Sequence, residues 1–446
     1  MQPDEREAGD GGTLIALLCT DLGGITRGRS RPARDRAQAL RSGVGWVPIN
    51  QSISPFDHIP DSPLWGSHGD RRLLPDPDTH VRVDLGLGAP ALELYLCDIV
   101  QLDGTPWDVC ARSVLKQSLA DFRKRTSCEL RVSFEHEFTF VDQQEPTGPG
   151  FSLRCQRIAE PFGTRLMDAL WQAGQDPETF LPEFGAGQFE VTCRPAPALA
   201  AADRSVLIRE LTHETARQMN RRLTFSPIVK PGGIGNGVHI HLSIVDESGH
   251  SRTYDAKGPG RLSKLAGAFA AGIVEQLPSI TAFTAPSVLS YQRLVPHKWA
   301  AAYACLGERN REAALRICPT VDFPGMDPQE QLHLEFRACD ATANPYLALN
   351  ALVRAGLHGI DAGLEAPPLV NSDPSAFDEA ELRRLGVRRL PQSASAALEQ
   401  MRSSAMVSSW VSPDLLETYT LLRRAEIEAL QSRTPDDLAA LYCQVF

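Results

Sequence analysis

The chain has 446 residues and carries 45 Lys and Arg against 55 Asp and Glu, a net charge of −10 that argues against a general phosphate-backbone binder, so no nucleic-acid partner is expected. With 42% hydrophobic and 22% charged residues it is large enough for one big core plus a smaller domain, and intrinsic disorder is excluded as its main state. The acidic start MQPDEREAGD is unlike a secretory leader, and no uncharged apolar run approaches the roughly 20 residues that span a bilayer, so a cytoplasmic protein without a membrane partner is expected.

Residues 1–12, charged and Gly-rich, are expected to form a disordered terminus. TLIALLCTD predicts a buried strand from Thr13, and the glycines of DLGGITRGRSRP predict a tight turn into a second strand. A short helix is expected over 33–42. Up to residue 111, Gly, Pro and Asp clusters alternate with short apolar runs such as VRVDL and LELYLCDIV, the pattern of a small strand-rich domain over 13–111. At SVLKQSLADFRKR the spacing turns helical, which starts a larger unit over 112–446. There RLMDALWQAG, LAAADRSVLIRELTHETARQMN, SKLAGAFAAGIVEQL, NPYLALNALVRAGLHGI and segments after Ser393 predict helices, and no repeat of solenoid period is present.

Four short segments predict strands with a chemical face, because side chains alternate with period two. SFEHEFTF puts Glu135 and Glu137 on one face and Phe134, His136, Phe138 and Phe140 on the other. GQFEVT sets Gln188, Glu190 and Thr192 against Phe189 and Val191, and GVHIHLSI sets His239, His241 and Ser243 against Val238, Ile240, Leu242 and Ile244. QLHLEFRA sets Gln331, His333, Glu335 and Arg337 against Leu332, Leu334 and Phe336. Any one such strand suits a half-exposed antiparallel sheet whose polar side meets water. Four together are different, since Glu, His and Arg are the residues of metal and phosphate sites. If Glu135, Glu137, Glu190 and Glu335 converge, each pair at about 5 Å repels by roughly 3 kcal/mol at an effective dielectric near 20, so cations are required. Oxygen-rich ligands with one imidazole favour Mg²⁺ or Mn²⁺ over zinc. The ten cysteines, from Cys19 to Cys443 with no CxxC pair, are expected to lie off these faces as buried, reduced thiols.

A second cluster is cationic: Arg293 in SYQRLVP, Arg309, Arg311 and Arg316 in GERNREAALR, and Arg337. Arginine forks match carboxylate and phosphate oxygens, although a solvated helix face or structural ion pairs would also account for some of them. No P-loop and no GxGxxG is present, so a nucleotide would have to use the metal-lined surface.

These motifs resemble the glutamine synthetase family over nearly the whole chain and in the family's order: DLGGITRGR, FEHEF, PEFGAGQFE, KPGGIGNGVHIHLS, SYQRLVP with NREAALR, and HLEFRACDATANPYLALNAL. The resemblance implies an α+β fold, with a small N-terminal β-grasp domain and a large catalytic domain whose curved antiparallel sheet is flanked by helices. It implies a homo-oligomer, usually a dodecamer of two hexameric rings with active sites between subunits. It further implies that Glu137, Glu183 and Glu190 hold one metal and that Glu135, His239 and Glu335 hold another, with two or three Mg²⁺ or Mn²⁺ ions per site. Glu178, His241, Ser243, Arg311, Arg316 and the position of His333 would contact ATP. Gly235, Arg293, Arg311 and Arg337 would bind L-glutamate, with Arg337, Arg311 and Glu183 at the reacting atoms. The implied reaction phosphorylates the γ-carboxylate of glutamate with ATP, after which an amine displaces phosphate.

The chain departs from the ammonia-using enzymes, which resemble it otherwise but carry a flap glutamate six residues after the arginine of SYxR. Here that position is Trp299, and the Asp-Gly-Ser-Ser segment that helps bind ammonium is replaced by PINQSISPF. An organic amine as nucleophile is therefore expected, with Trp299 walling its pocket. Glutamine synthetase proper and a non-catalytic relative are the alternatives. His333 stands where those enzymes carry a phosphate-binding arginine, and RRLGVRRLPQS has no counterpart of the tyrosine segment modified in regulated relatives.

Overall fold

The computed structural model describes residues 13–142, 148–321 and 323–446; the expected disordered terminus, 1–12, lies outside the described residues. The first sheet contains β1 (Leu14–Thr20), β2 (Thr26–Pro32), β3 (Val44–Trp46), β4 (Arg71–Pro75), β5 (Val81–Val83) and β6 (Leu92–Val100), with helix α1 (Arg36–Ser42) after β2. Its order is β2-β1-β6-β4-β3 with β5 added to β6, and β1 and β6 run parallel at its centre. Ile15, Leu17 and Cys19 alternate into its core, as period-two packing requires. The glycines of the β1–β2 turn answer to a close approach: Gly24 has φ of 88°, and a Cβ there would lie 2.6 Å from the Thr342 carbonyl oxygen.

Helix α2 (Ala111–Thr126) leads into a ten-stranded sheet. Its strands are β7 (Cys128–Phe140), β8 (Pro177–Pro182), β9 (Gln188–Cys193), β10 (Ala196–Pro197), β11 (Leu223–Thr224), β12 (Val238–Asp246), β13 (Tyr303–Glu308), β14 (Ala313–Ile317), β15 (Leu334–Phe336) and β16 (Arg388–Arg389). The order is β16-β13-β14-β15-β12-β7-β9-β8, with β10 and β11 also on β7. All pairs are antiparallel, except that β13 and β14 run parallel. The bulk of the helices pack on this sheet and on one another: α3 (Leu153–Gln172), α4 (Ala198–Gln218), α5 (Lys264–Thr284), and, after the one-turn helices α6 (Ser290–Arg293) and α7 (Pro328–Gln331), α8 (Pro345–Asp361).

The aromatic face of β7 explains the core. Phe138 and Phe140 touch Phe162 of α3 and Phe189 of β9, and burial of each ring is worth about 1.5–3 kcal/mol. His136 lies on this face, buried against Ser205 Oγ at 3.0 Å, and burial, followed by Arg209, pushes it down to about 3, so it is a neutral core residue. α5 is apolar and long enough to cross a membrane, but 83% of its most apolar stretch is buried inside the molecule, chiefly against α8. Asn344 caps α8 by accepting from the Tyr346 and Leu347 N–H groups while donating to the Asp21 carbonyl, 2.9 Å away, in the β1–β2 turn. Arg209 makes a second bolt, donating to the Gly24 and Ala341 carbonyls, each at 2.6 Å. The two sheets are thereby held as one body by groups that would otherwise be buried and unsatisfied.

Candidate active site

A cavity of about 420 Å³ opens where β7, β9, β12 and β15 present their polar faces. The larger cavity, about 640 Å³, lies elsewhere, between β1, β6, α4 and the last residues of the chain, and none of the predicted site residues lines it. Register does the assembling: β12 pairs with β7 so that His239 lies opposite Glu135, β7 with β9 so that Glu137 lies opposite Glu190, and β14 with β15 so that Arg316 lies opposite Glu335.

His239 Nδ1 stands 3.1 Å from Glu135 Oε1 and 3.8 Å from Glu335 Oε1, and its other nitrogen is buried without a partner. Such ligand-to-ligand spacings suit one small divalent ion with bonds of about 2.0–2.1 Å. Glu137, Glu183 and Glu190 line the same cavity. The carboxylates crowd: burial, with Glu137 beside it, pushes Glu183 up to about 7, and burial together with Glu135 and Glu137 pushes Glu190 far above the usual range. Burial would also raise Glu135 and Glu335. His239 and His241 overcome it at Glu135, and Arg337, His239, His241 and Arg316 overcome it at Glu335, which is held down at about 2. Two carboxyls thus keep protons that a divalent cation would displace, and the donor set fits hard metals.

Arg316 Nη1 donates to Glu335 Oε2 at 2.6 Å, and Arg337 Nη1 donates to the other oxygen. Arg337 reaches further, to the Arg311 carbonyl at 3.1 Å and the Trp299 carbonyl at 2.9 Å. Arg293 is buried beside it with Nη2 on the Arg337 carbonyl at 3.2 Å and Nη1 unpartnered, and it lines the cavity. Close packing there demands glycine, since a Cβ at Gly237 would meet Arg293 Nη2 at 2.2 Å and one at Gly235 would meet the Pro227 carbonyl at 2.3 Å.

The mouth is aromatic. Trp299 and Phe184 meet edge to face with centroids 5.0 Å apart, and Phe151 lines the same rim. Trp299 adopts φ of 53°, a left-handed conformation unusual for a bulky residue. It persists because its carbonyl accepts from Arg337 and the neighbouring Lys298 ammonium binds the Gly232 and Gly233 carbonyls of the Gly-rich loop.

Glu178, Ser243 and His333 line an adjoining cavity of about 250 Å³ with Glu135 and His241. His241 donates toward Glu135 Oε2 at 2.8 Å; burial alone would lower it, but its bonds to Cys318 and Glu135 push it up to about 10. Two expectations are corrected. Gln331 is not on a strand: β15 begins only at Leu334, and Gln331 ends α7 with its amide on the Val321 backbone. Of the alternatives open for the NREAALR arginines, a helix face does not apply, because Ala313–Ile317 is a fully buried strand, and Arg309, exposed at the preceding turn, lines neither cavity. Nor do all cysteines lie off the chemical faces: Cys318 Sγ is 3.7 Å from Glu335 Oε2, because its strand ends beside β15. Period-two alternation marks Gln188 only as a polar-face residue, yet its amide reaches Glu137 at 3.4 Å, the Gly235 carbonyl at 2.9 Å and Asn236 at 3.1 Å, which ties β9 and β7 to the glycine-rich loop.

Family models agree with this architecture over almost the whole chain: "Glutamine synthetase N-terminal domain" matches residues 5–107 and "Glutamine synthetase, catalytic domain" matches residues 108–440. The chain belongs to the glutamine synthetase family. As a member, it is an ATP-dependent carbon–nitrogen ligase that uses glutamate, an amine and divalent metal ions. It is 32% identical to gamma-glutamylpolyamine synthetase GlnA3 of Streptomyces coelicolor, over 97% of this chain and 94% of that one. It is 30% identical to glutamine synthetase of Halobacterium salinarum, over 95% of this chain and 91% of the other. The crystal structure of a novel glutamine synthase homolog superimposes with a TM-score of 0.90 at 44% identity, over 97% and 98% of the two chains.

Proposed function

We propose that this glutamine synthetase-like ligase joins the γ-carboxylate of L-glutamate to an organic amine rather than to ammonia. The observation that carries the reading is the Trp299–Phe184 pair at the cavity mouth, where the resemblance calls for a flap carboxylate. An indole edge cannot pair with ammonium as a carboxylate does, but it offers apolar area and a π-face to a larger amine. The 32% identity to a protein named for polyamine ligation supports the same direction.

In this reading Gly235, Arg293 and Arg337 hold glutamate, and Arg311 and Arg316 hold ATP phosphates with His241 and His333, while Glu178 and Ser243 contact the rest of the nucleotide. Glu137, Glu183 and Glu190 hold one Mg²⁺ or Mn²⁺, and Glu135, His239 and Glu335 hold another. Bound there, such ions neutralise phosphate charge as the γ-phosphate passes to glutamate. Arg311 and Arg337 stabilise the charge that develops on the transferring group. The amine nitrogen then bonds the activated carbon, phosphate leaves with the bonding electron pair, and the proton lost from nitrogen is released to solvent from a pocket that desolvates the amine. The working unit is a cytoplasmic homo-oligomer of two hexameric rings, with a neighbour completing each mouth. Phosphate release with glutamate, ATP and a panel of amines tests the reading. Polyamines, alkylamines or arylamines should exceed ammonia in kcat/KM, and ammonia as the best substrate overturns it in favour of glutamine synthetase proper.

A further inference from the structure

At the nucleotide end, two imidazoles meet in an arrangement that does not close on itself. His333 Nδ1 lies 2.7 Å from the Gln331 carbonyl, which only accepts, so that nitrogen carries the proton. His241 Nε2 lies 2.8 Å from Glu135 Oε2, and the ionised carboxylate likewise makes it the donor. The remaining nitrogens, His333 Nε2 and His241 Nδ1, then face each other at 3.0 Å. Cys318 Sγ converges on the same point, all three ligand atoms lying within 4.8 Å of one another, and its backbone N–H is anchored on the His333 carbonyl at 3.1 Å. The gap between the two nitrogens, beside a buried sulfur, takes either a proton, which makes His241 an imidazolium that donates to His333, or a metal ion in that proton's place.

We propose that His241, His333 and Cys318 form a cation site of their own, separate in chemistry from the carboxylate cluster, that takes a Zn²⁺-class ion. Two imidazoles and a thiolate are the donors such an ion prefers over Mg²⁺. Around tetrahedral zinc, bonds of about 2.0–2.3 Å put ligand atoms roughly 3.3–3.6 Å apart, so small side-chain shifts suffice. Each imidazole already donates its outer N–H to a carbonyl or a carboxylate, the arrangement that orients metal-binding histidines. Three protein ligands leave a fourth position open to a phosphate oxygen, and the ion supplies positive charge where His333 replaces the family's arginine. This last consequence rests on the nucleotide reading of His241 and His333; the existence of the site does not depend on which amine is used.

Cobalt is the probe. Chelator-treated full-length protein is titrated with Co²⁺ in excess Mg²⁺, which saturates the carboxylate cluster. One Co²⁺ per chain should bind with a near-ultraviolet thiolate-to-cobalt charge-transfer band, and ADP should shift the visible cobalt bands. Cys318→Ser should abolish the thiolate band and weaken cobalt binding by about tenfold or more, and thermal stabilisation by Mg²⁺ in that variant checks that it folds. Cobalt fully displaced by Mg²⁺, or bound without a thiolate band, overturns the site and leaves the shared proton in its place. Visible bands unmoved by ADP overturn the phosphate contact.

Discussion

The floor and the mouth of the cavity are built on opposite principles. On the floor Glu335, Arg337, Arg293 and His239 are at most 4% exposed, and most of their polar atoms are paired with side chains or backbone carbonyls. At the mouth Trp299, Phe184 and Phe151 are 46%, 54% and 57% exposed, apolar rings facing outward. Charges on the floor survive desolvation only because opposite charges, hydrogen bonds or cations meet them, so their geometry tolerates little change. The rings at the mouth are under no such obligation, and their exposed area is gained back only when something apolar or cationic covers it. In the proposed reading, phosphoryl transfer belongs to the floor and amine selection to the mouth. Arg337 belongs to both, since one fork holds Glu335 and the Trp299 carbonyl together.

Breaking that joint has the largest expected effect. Arg337→Lys keeps the charge but loses the planar fork, so glutamate-dependent ADP release should fall by about 10²–10³-fold in kcat. A loss below tenfold would mean that floor and mouth are not coupled through this residue.

The next test sharpens the claim that the floor is a metal site. Glu183 is raised from the ordinary 4.5 to about 7, and Glu190 is raised further. A carboxyl raised on folding contributes stability that is present below its unfolded pKa and lost as pH rises through its folded pKa. The metal-free protein should thus lose stability from about pH 4.5 to above pH 7, and metal, by replacing the protons, should remove that loss. The gain in Tm on adding Mg²⁺ is expected to grow between about pH 6 and pH 8, and metal affinity to rise by about tenfold per pH unit for each proton displaced. A gain independent of pH would show that these carboxyls do not hold the ion.

The floor was more legible in the sequence than the mouth, for a physical reason. Period-two alternation in FEHEF and VHIHLS assigns faces without knowledge of the fold, and it separated Glu135 and His239 from the core residue His136. It failed where the strand was short: three residues, Leu334–Phe336, leave Gln331 in a helical turn. It also missed β14, because a strand buried throughout shows no alternation. Glu183 lies in a loop and emerged through resemblance alone, while the roles of Gln188 and Cys318 depend on contacts between distant segments that no local pattern records. For the mouth, one substitution at Trp299 was readable, but its partner ring Phe184, and Phe151 on the same cavity, come from other loops.

The smallest expected effect decides what the mouth is for. Trp299→Ala should lower kcat/KM for the preferred organic amine by about tenfold, the value of one aromatic or cation–π contact of roughly 1.4 kcal/mol, while kcat/KM for ammonia stays nearly constant. Ammonia is too small to touch the ring, so a selective loss means that the indole contacts the substrate. An equal loss for both amines means that Trp299 acts only through Phe184 to shape the flap. Phe184→Leu separates these outcomes further: it keeps apolar volume but removes the edge-to-face partner, and should move amine preference in the same direction as Trp299→Ala by a smaller factor. If Phe184→Leu alters glutamate KM instead, the aromatic pair belongs to the floor's machinery and the division between the two regions fails.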